Sequence, residues 1–426
     1  MTSRRHASSW YAATANPHPP HPALEGTVRC DVCVVGGGYT GLMTALELAE
    51  RGMDVVLVEA ERVGWGASGR NGGQIITGYN KPMADIERWM GRDDARLLWQ
   101  LAEEATSQLH ERVEKHGIRC DLTRGFVLAA VKPRHMAELD EVVREMRDAY
   151  GYPHLERLDR DGVAGMVDSP LYVGGLYDGG SGHLHPLNYA LGLADACLAA
   201  GVRIFEGSRV VSLETGLLPA AVTARGRAQA RFLVLAGNAY LGGLVPQMAG
   251  MIMPVATQII ATEPLGAERA SALLPRNTAV ADMNFVLDYF RRTSDHRLLF
   301  GGGANYSGRD TPGSREVLRF KMLRVFPQLK DMAVDFHWSG KVAITMNRMP
   351  QVGRLTPSVY YAHGYSGHGV ALAGLAGRLI AETVAGTAER FDVFARIPHM
   401  PFPGGQRLRT PALVLAMLWF RLRDLL

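Results

Sequence analysis

The chain has 426 residues, enough for two or three structural units and for a core that needs no covalent staples. Its 47% hydrophobic and 21% charged residues exclude a disordered chain, and a net charge of +4 without a basic run of five gives no electrostatic footprint for nucleic acid. Glycine is the outlier: 48 residues, where a usual share of about 7% would give roughly 30, with no collagen period or Gly/Ser linker to absorb them.

Residues 1–27 read as an extended, solvated arm of polyproline character, centred on Pro17-His18-Pro19-Pro20-His21-Pro22. Arg4-Arg5 is followed by His6, Ser8 and Ser9 where a secretion signal needs an apolar stretch, and no run of 18 apolar residues occurs. A cytoplasmic protein without a spanning helix is therefore expected. His6, His18 and His21 have no carboxylate or cysteine beside them in sequence, so no metal site is expected there.

Regular structure begins at Cys30. Asp31–Val35 is a β-rich run, Gly36-Gly37-Gly38 a turn, and Tyr39–Glu50 carries helical apolar spacing that stops at Gly52. Val55–Val58 is a second strand ending in Glu59, which completes a βαβ unit. Four cysteines make no disulfide framework; Cys30 and Cys33 lie three apart on a strand, on opposite faces, and read as core. Residues 86–150 are charged and helical around one apolar run, Phe126–Val131. A second helix–strand unit follows at Leu187–Ala200 and Val202–Phe205, with Gly201 as the stop, and a buried strand at Arg231–Leu235 meets the turn Ala236-Gly237-Asn238. Strands are expected at Val255–Ala261, Phe285–Arg292, Leu298–Gly301 and Tyr360–His363, the last leading through Gly364 into an apolar helix, Val370–Val384. The apolar tail Ala412–Phe420 and the amphipathic Arg421–Leu426 suggest a docked helix or an oligomer contact.

The fold class is α/β, α+β overall: a nucleotide domain assembled from residues 28–85, 152–250 and 336–395, a sheet-bearing domain from 86–151 and 251–335, and a tail, 396–426.

Three glycine-rich turns carry the chemistry. In Gly36-Gly37-Gly38-Tyr39-Thr40-Gly41 the first glycine turns the chain, the second admits a pyrophosphate close to the backbone, and the third lets helix and strand pack tightly. The helix N-terminus offers free N–H groups to phosphate, and Glu59 is placed to accept from a ribose hydroxyl, which suits NAD or FAD and disfavours NADP. The run Gly64-Trp65-Gly66-Ala67-Ser68-Gly69-Arg70-Asn71-Gly72-Gly73-Gln74 is too glycine-rich for a helix or core strand. It suits close backbone approach to a flat polar ligand, with Ser68, Arg70, Asn71 and Gln74 as donors. Gly364-Tyr365-Ser366-Gly367-His368-Gly369-Val370 again feeds a helix N-terminus, which aims N–H groups at negative charge. Val210 and Gly237 are further cofactor-binding candidates beside these turns.

Together these motifs resemble the D-amino-acid-oxidase-like superfamily of FAD-dependent oxidoreductases, and within it the gamma-glutamylputrescine oxidoreductase group. SGHLHPLNYALGLA at 181–194, LVLAGNAY at 233–240, MPVATQIIATEPL at 253–265, LDYFRRTSDHRLLFGGG at 287–303, NRMPQVGR at 347–354 and PHMPFPGG at 398–405 extend the likeness over the chain beyond the arm. The resemblance implies a glutathione-reductase-like FAD domain whose flavin is roofed by the second sheet. It also implies oxidation of an amine C–N bond to an imine, then an aldehyde and ammonia, with electrons passing to oxygen or a quinone.

On this reading Tyr289 is the first substrate-side aromatic, sharing a strand face with Arg291, and His368 is the polarising group beside the flavin. Arg291 or Arg348 would meet a distant carboxylate. Relatives that act on small amino acids often carry an arginine two residues beyond the glycine of a W-x-G stretch; here Trp338-Ser339-Gly340-Lys341-Val342 has valine there. A longer amine such as gamma-glutamylputrescine fits that departure, with pipecolate and sarcosine as alternatives. An NAD-linked dehydrogenase would leave the second and third turns unexplained, and a non-catalytic flavin-binding protein would need no substrate pocket. No lysine is placed to activate oxygen, and the oligomeric state stays open.

Overall fold

The structure is a computed structural model that describes residues 5–284, 286–305 and 312–405. Two large sheets organise it. The first has eight strands, with Gly26–Val35 parallel to both Gly226–Leu235 and Val55–Val58, and Arg203–Phe205 at one edge. Val55–Val58 is wholly buried and Val32–Val35 nearly so, because helices cover one face and a second apolar layer the other. Between these strands runs the helix Tyr39–Ala49. It ends at Glu50, and Gly52 takes a left-handed φ of 81° that would strain a side chain.

Across that helix lies Gly369–Val384, buried along almost its whole length. The two approach closely because Gly377 has no side chain: a Cβ there would lie 2.7 Å from the Thr40 carbonyl oxygen. The long helix Arg92–Lys115 packs on the same bundle. Its Arg112 reaches two carboxylates of the first helix, Glu47 and Glu50, and Arg51 holds Glu47 from the other side at 2.6 Å. Burial pushes both carboxyls up, but the neighbouring cations outweigh it and leave both below their ordinary range. A depressed carboxyl stabilises the fold above its unfolded pKa and loses that contribution as pH falls through the folded value. Thermal stability is therefore expected to drop between about pH 5 and pH 3, and a Glu47→Gln/Glu50→Gln variant should show a shallower acid limb. An identical limb in the two proteins would sink this assignment.

The second sheet has nine strands. The sequence-based boundaries need correction here. Leu155–Leu158, Gly174–His183 and Val334–Thr345 from Phe336 onward fall in segments assigned to the nucleotide domain, yet all pair in the second sheet. Conversely, Arg92–Lys115 was assigned to the substrate domain but is welded to the nucleotide half by Arg112. The strand expected at 285–292 spans Asp288–Arg292.

The arm also departs from expectation. It is docked rather than solvated: Trp10 and Tyr11 are 1% and 0% exposed. His18 Nδ1 lies 3.0 Å from Asp195, and the His21 backbone N–H donates to Glu206 at 3.1 Å, so these histidines have carboxylate companions that sequence proximity did not show. Cys30 and Cys33 are free thiols, and burial pushes Cys30 up to about 12 and Cys33 well up, as inert core positions require. At the other end, Phe402 packs on Met253 and Val255. The remainder of the tail, Ala412–Phe420 and Arg421–Leu426 included, lies outside the described residues.

Candidate active site

A cleft of about 380 Å³ opens along the carboxyl edge of the first sheet, where the glycine turns converge from distant parts of the chain. Gly36, Gly38, Tyr39, Thr40 and Glu59 line it, as do Ala67, Ser68 and Asn71, Val210 and Gly237, and Gly367, Gly369 and Val370.

Local chemistry explains the geometry. Gly36 has φ 116°, and a Cβ there would meet the Ala236 carbonyl oxygen at 2.8 Å. A Cβ on Gly41 would collide outright with the Gly36 carbonyl oxygen, so Gly41 sits behind the turn rather than on the cleft wall. Glu59 accepts from Gly37 N at 2.6 Å and from Glu61 N at 2.8 Å; burial nevertheless raises its carboxyl. The helices Tyr39–Ala49 and Gly369–Val384 both begin at this cleft, and neither N-cap residue, Gly38 or His368, makes a side-chain capping bond. Two helix N-termini aimed at one cleft form a site for an anionic ligand. A dinucleotide's pyrophosphate at the first, and the electron-rich pyrimidine edge of a flavin at the second, fit these donors.

The run 64–74 serves differently from expectation. Asn71 Nδ2 donates to the carbonyls of Ala67 and Ser68 at 3.0 and 3.1 Å, and its Oδ1 accepts from Gly73 N at 2.7 Å. Ser68 Oγ accepts from Tyr39 N at 3.0 Å, and Gln74 Nε2 donates to the Val280 carbonyl at 2.9 Å. Arg70 donates to the Trp65 carbonyl at 2.7 Å with its guanidinium over the Trp65 ring. These bonds shape the loop and tie it to Tyr39 and Val280, since a segment without a helix or ladder must satisfy its own backbone; Ser68 and Asn71 still line the cleft. Arg70, Gly72, Gly73, Gln74, Gly364 and His368 do not line this cleft.

The substrate-side candidates occupy the seam between this cleft and the second sheet. Tyr289 lies flat against Gly301 and reaches Gly72, where a Cβ would stand 2.6 Å from its ring. It adjoins a small apolar cluster of Phe126, Ala279, Ala281, Ile76 and Leu128. Burial holds its phenol well above the ordinary range. His368 is half-buried and lowered by that burial; its Nδ1 donates to the Gly78 carbonyl at 3.2 Å, which leaves Nε2 unprotonated in the neutral ring. Arg348, at φ 64°, sits close enough to His368 for its charge to add to that lowering. Arg291 is not brought to an open surface. It is 2% exposed and donates to the carbonyls of Gly72 and Arg292 and to the Tyr11 hydroxyl, which corrects its assignment as a carboxylate grip.

Sequence reasoning missed Ser208, Arg209, Tyr240, Tyr365 and Lys341, all on the cleft wall. Tyr365 and the Ser208–Arg209 pair adjoin recognised positions, so they were legible by proximity. Lys341 lines the cleft with its ammonium 6.0 Å from the Tyr240 ring.

The family profile described as FAD dependent oxidoreductase (DAO) matches residues 31–383. The chain belongs to that family. It is 46% identical over 420 residues to the gamma-glutamylputrescine oxidoreductase of Escherichia coli K12, covering 98% of each chain, and 39% identical over 426 residues to a probable oxidoreductase, OrdL, of Haemophilus influenzae, covering 99% of this chain and 98% of that one. Among solved structures, glycine oxidase from Geobacillus kaustophilus superposes with a TM-score of 0.73 at 23% identity, covering 88% of this chain and 100% of that one. The protein is thus an FAD-dependent oxidoreductase with the expected α/β fold. Among the described residues no helix is long and apolar enough to cross a membrane.

Proposed function

We propose that this enzyme oxidises the C–N bond of a gamma-glutamylputrescine-like primary amine. The full-length 46% identity to the Escherichia coli enzyme of that name carries the reading. FAD, when bound, would accept two electrons as the amine is oxidised to an imine, which water hydrolyses to an aldehyde and ammonia, and the reduced cofactor would return both electrons to O₂ to give hydrogen peroxide.

The residues of the seam support this. An alkylammonium ion must shed a proton before hydride can leave its carbon, and an apolar, aromatic surround favours the neutral amine. Phe126, Ala281, Ile76 and Tyr289 supply that surround. Nε2 of His368 is the free acceptor for the proton, with its ring orientation fixed through Gly78. Val342 on the cleft wall puts no charge where a small amino acid's carboxylate would be gripped, which favours a longer substrate with Arg348 toward its far end.

The test is anaerobic addition of gamma-glutamylputrescine, pipecolate and sarcosine to the yellow holoenzyme, followed by air and a peroxide assay. The first compound is expected to bleach the flavin fastest and to yield peroxide on re-oxygenation. Bleaching by pipecolate or sarcosine alone would overturn the primary-amine reading, and bleaching without peroxide would move the acceptor to a quinone.

A further inference from the structure

We propose that the amino-terminal segment Ser9–Thr14 is a positioning element of the cofactor cleft: Tyr11 holds Arg291 and Trp338, and these two hold the backbone on either side of Asn71. The family profile begins only at residue 31, so this segment lies outside the part of the chain that the profile describes.

Two independent lines converge on Asn71. On one side, Trp338 Nε1 donates to the Arg70 carbonyl at 3.1 Å; on the other, Arg291 Nε donates to the Gly72 carbonyl at 2.8 Å. Asn71 lines the cleft, while Arg70 and Gly72 do not. Drawing these carbonyls backward fixes the peptide plane that enters Asn71 and the one that leaves Gly72, and with them the contour of the wall at Asn71.

Tyr11 joins the two supports. Its hydroxyl accepts from Arg291 Nη2 at 3.1 Å, and its ring meets Trp338 edge-on at 5.2 Å between centroids. Among the described residues Arg291 makes no ion pair, so the buried guanidinium is aimed by the Tyr11 hydroxyl and two backbone carbonyls alone. Losing one of three such partners leaves the cation free to turn toward another and release Gly72.

The segment is itself anchored on both halves of the molecule. Ser9 Oγ caps the short helix Trp10–Ala13 by accepting from Ala12 N at 3.1 Å. Trp10 Nε1 donates to Asp295 at 3.1 Å in the second sheet's hairpin, and Thr14 Oγ1 meets His185 Nε2 at 3.1 Å ahead of the helix Pro186–Ala199. Burial lowers the His185 imidazole to about 3, with the Arg291 charge adding to the effect, so the ring stays neutral and rigidly hydrogen-bonded at working pH. An arm wedged between the halves and touching both supports is placed to govern the loop rather than merely to cover it.

The test uses full-length Tyr11→Phe, Arg291→Lys and the double variant, each stripped of FAD and retitrated by flavin fluorescence, with the visible circular dichroism of bound flavin and the melting temperature of the apoprotein read alongside. Tyr11→Phe keeps the aromatic packing and removes only the hydroxyl. It is expected to weaken FAD binding about tenfold and to alter the flavin's visible dichroism while the apoprotein melts near the parent. Arg291→Lys should do the same, and the double variant should be no worse than either single one, because both act through one contact. FAD affinity within about twofold of the parent with unchanged dichroism in Tyr11→Phe would overturn the proposal. Additive losses in the double variant would also overturn it, since they would make the arm an independent structural prop.

Discussion

Gly41→Val is expected to yield a protein that folds but is purified nearly colourless. The Cβ of any side chain at residue 41 would enter the space of the Gly36 carbonyl oxygen, and the Val34 side chain stands 3.2 Å away on the other side. The helix Tyr39–Ala49 can accept the side chain only by backing away from its strand. That costs about 1–3 kcal/mol of packing and carries the helix N-terminus off the pyrophosphate position. Loss of one well-aimed charge-assisted donor set corresponds to roughly a hundredfold in affinity, so flavin absorbance per protein is the direct measurement. Gly374→Ala is the control: its Cβ would meet only the Met43 methyl at 3.5 Å, an ordinary contact, and full flavin content is expected there. A Gly41→Val protein that retained stoichiometric FAD would refute the assigned role of the turn.

Arg112→Met should produce the largest loss of stability without touching the cleft. The Arg112 side chain is 11% exposed and faces Glu47, whose side chain is 5% exposed. Removing the guanidinium leaves a buried carboxylate with Arg51 as its remaining cation, and breaking such a pair costs about 3 kcal/mol. Urea unfolding of the holoprotein at neutral pH measures it. The deficit should shrink as pH falls through the carboxylate range, because a protonated Glu47 no longer needs the missing charge. Changing Glu47 to Gln in the same chain should recover most of the loss. A deficit below about 1 kcal/mol at neutral pH would place this triad among ordinary surface pairs.

The two predictions differ in how legible their residues were. Gly41 could be found from sequence, since G-x-G-x-x-G between a strand and a helix has one physical explanation and Glu59 follows at the right distance. The Glu47–Arg112 contact could not, because the partners are 65 residues apart, on helices that both pack against Gly369–Val384, far along the chain. The strand Gly174–His183 escaped notice for a related reason. Its five glycines lower β-propensity, yet neighbours approach too closely for side chains: a Cβ at Gly182 would strike the Thr123 carbonyl, and one at Gly180 the Tyr152 hydroxyl. Glycine there records a crowded sheet rather than a turn.

The arm shows the same division. Its proline and histidine content suggested an extended chain, but composition can say neither that Trp10–Ala13 turns into a short helix nor what the arm lies against, so the buried Trp10 and Tyr11 were unforeseen. Arg291 was likewise correctly placed on the Tyr289 face of its strand, and period-two alternation sufficed for that. The same alternation could not tell that the face meets the back of the 64–74 loop and the arm, where the guanidinium is consumed by carbonyls.

Local sequence determined the parts of this enzyme whose physics is local: turns that only glycine can make, helices that begin beside them, and hence an FAD site and a family. Tertiary structure decided everything that depends on which surfaces meet. It chose which strands join the second sheet, tied Ser68 to Tyr39 and Asn71 and Arg70 to their own loop, brought Lys341 to the cleft, and docked Tyr11 against Arg291 and Trp338. Those outcomes follow from burial and backbone satisfaction summed over distant segments, and no window of sequence contains that sum.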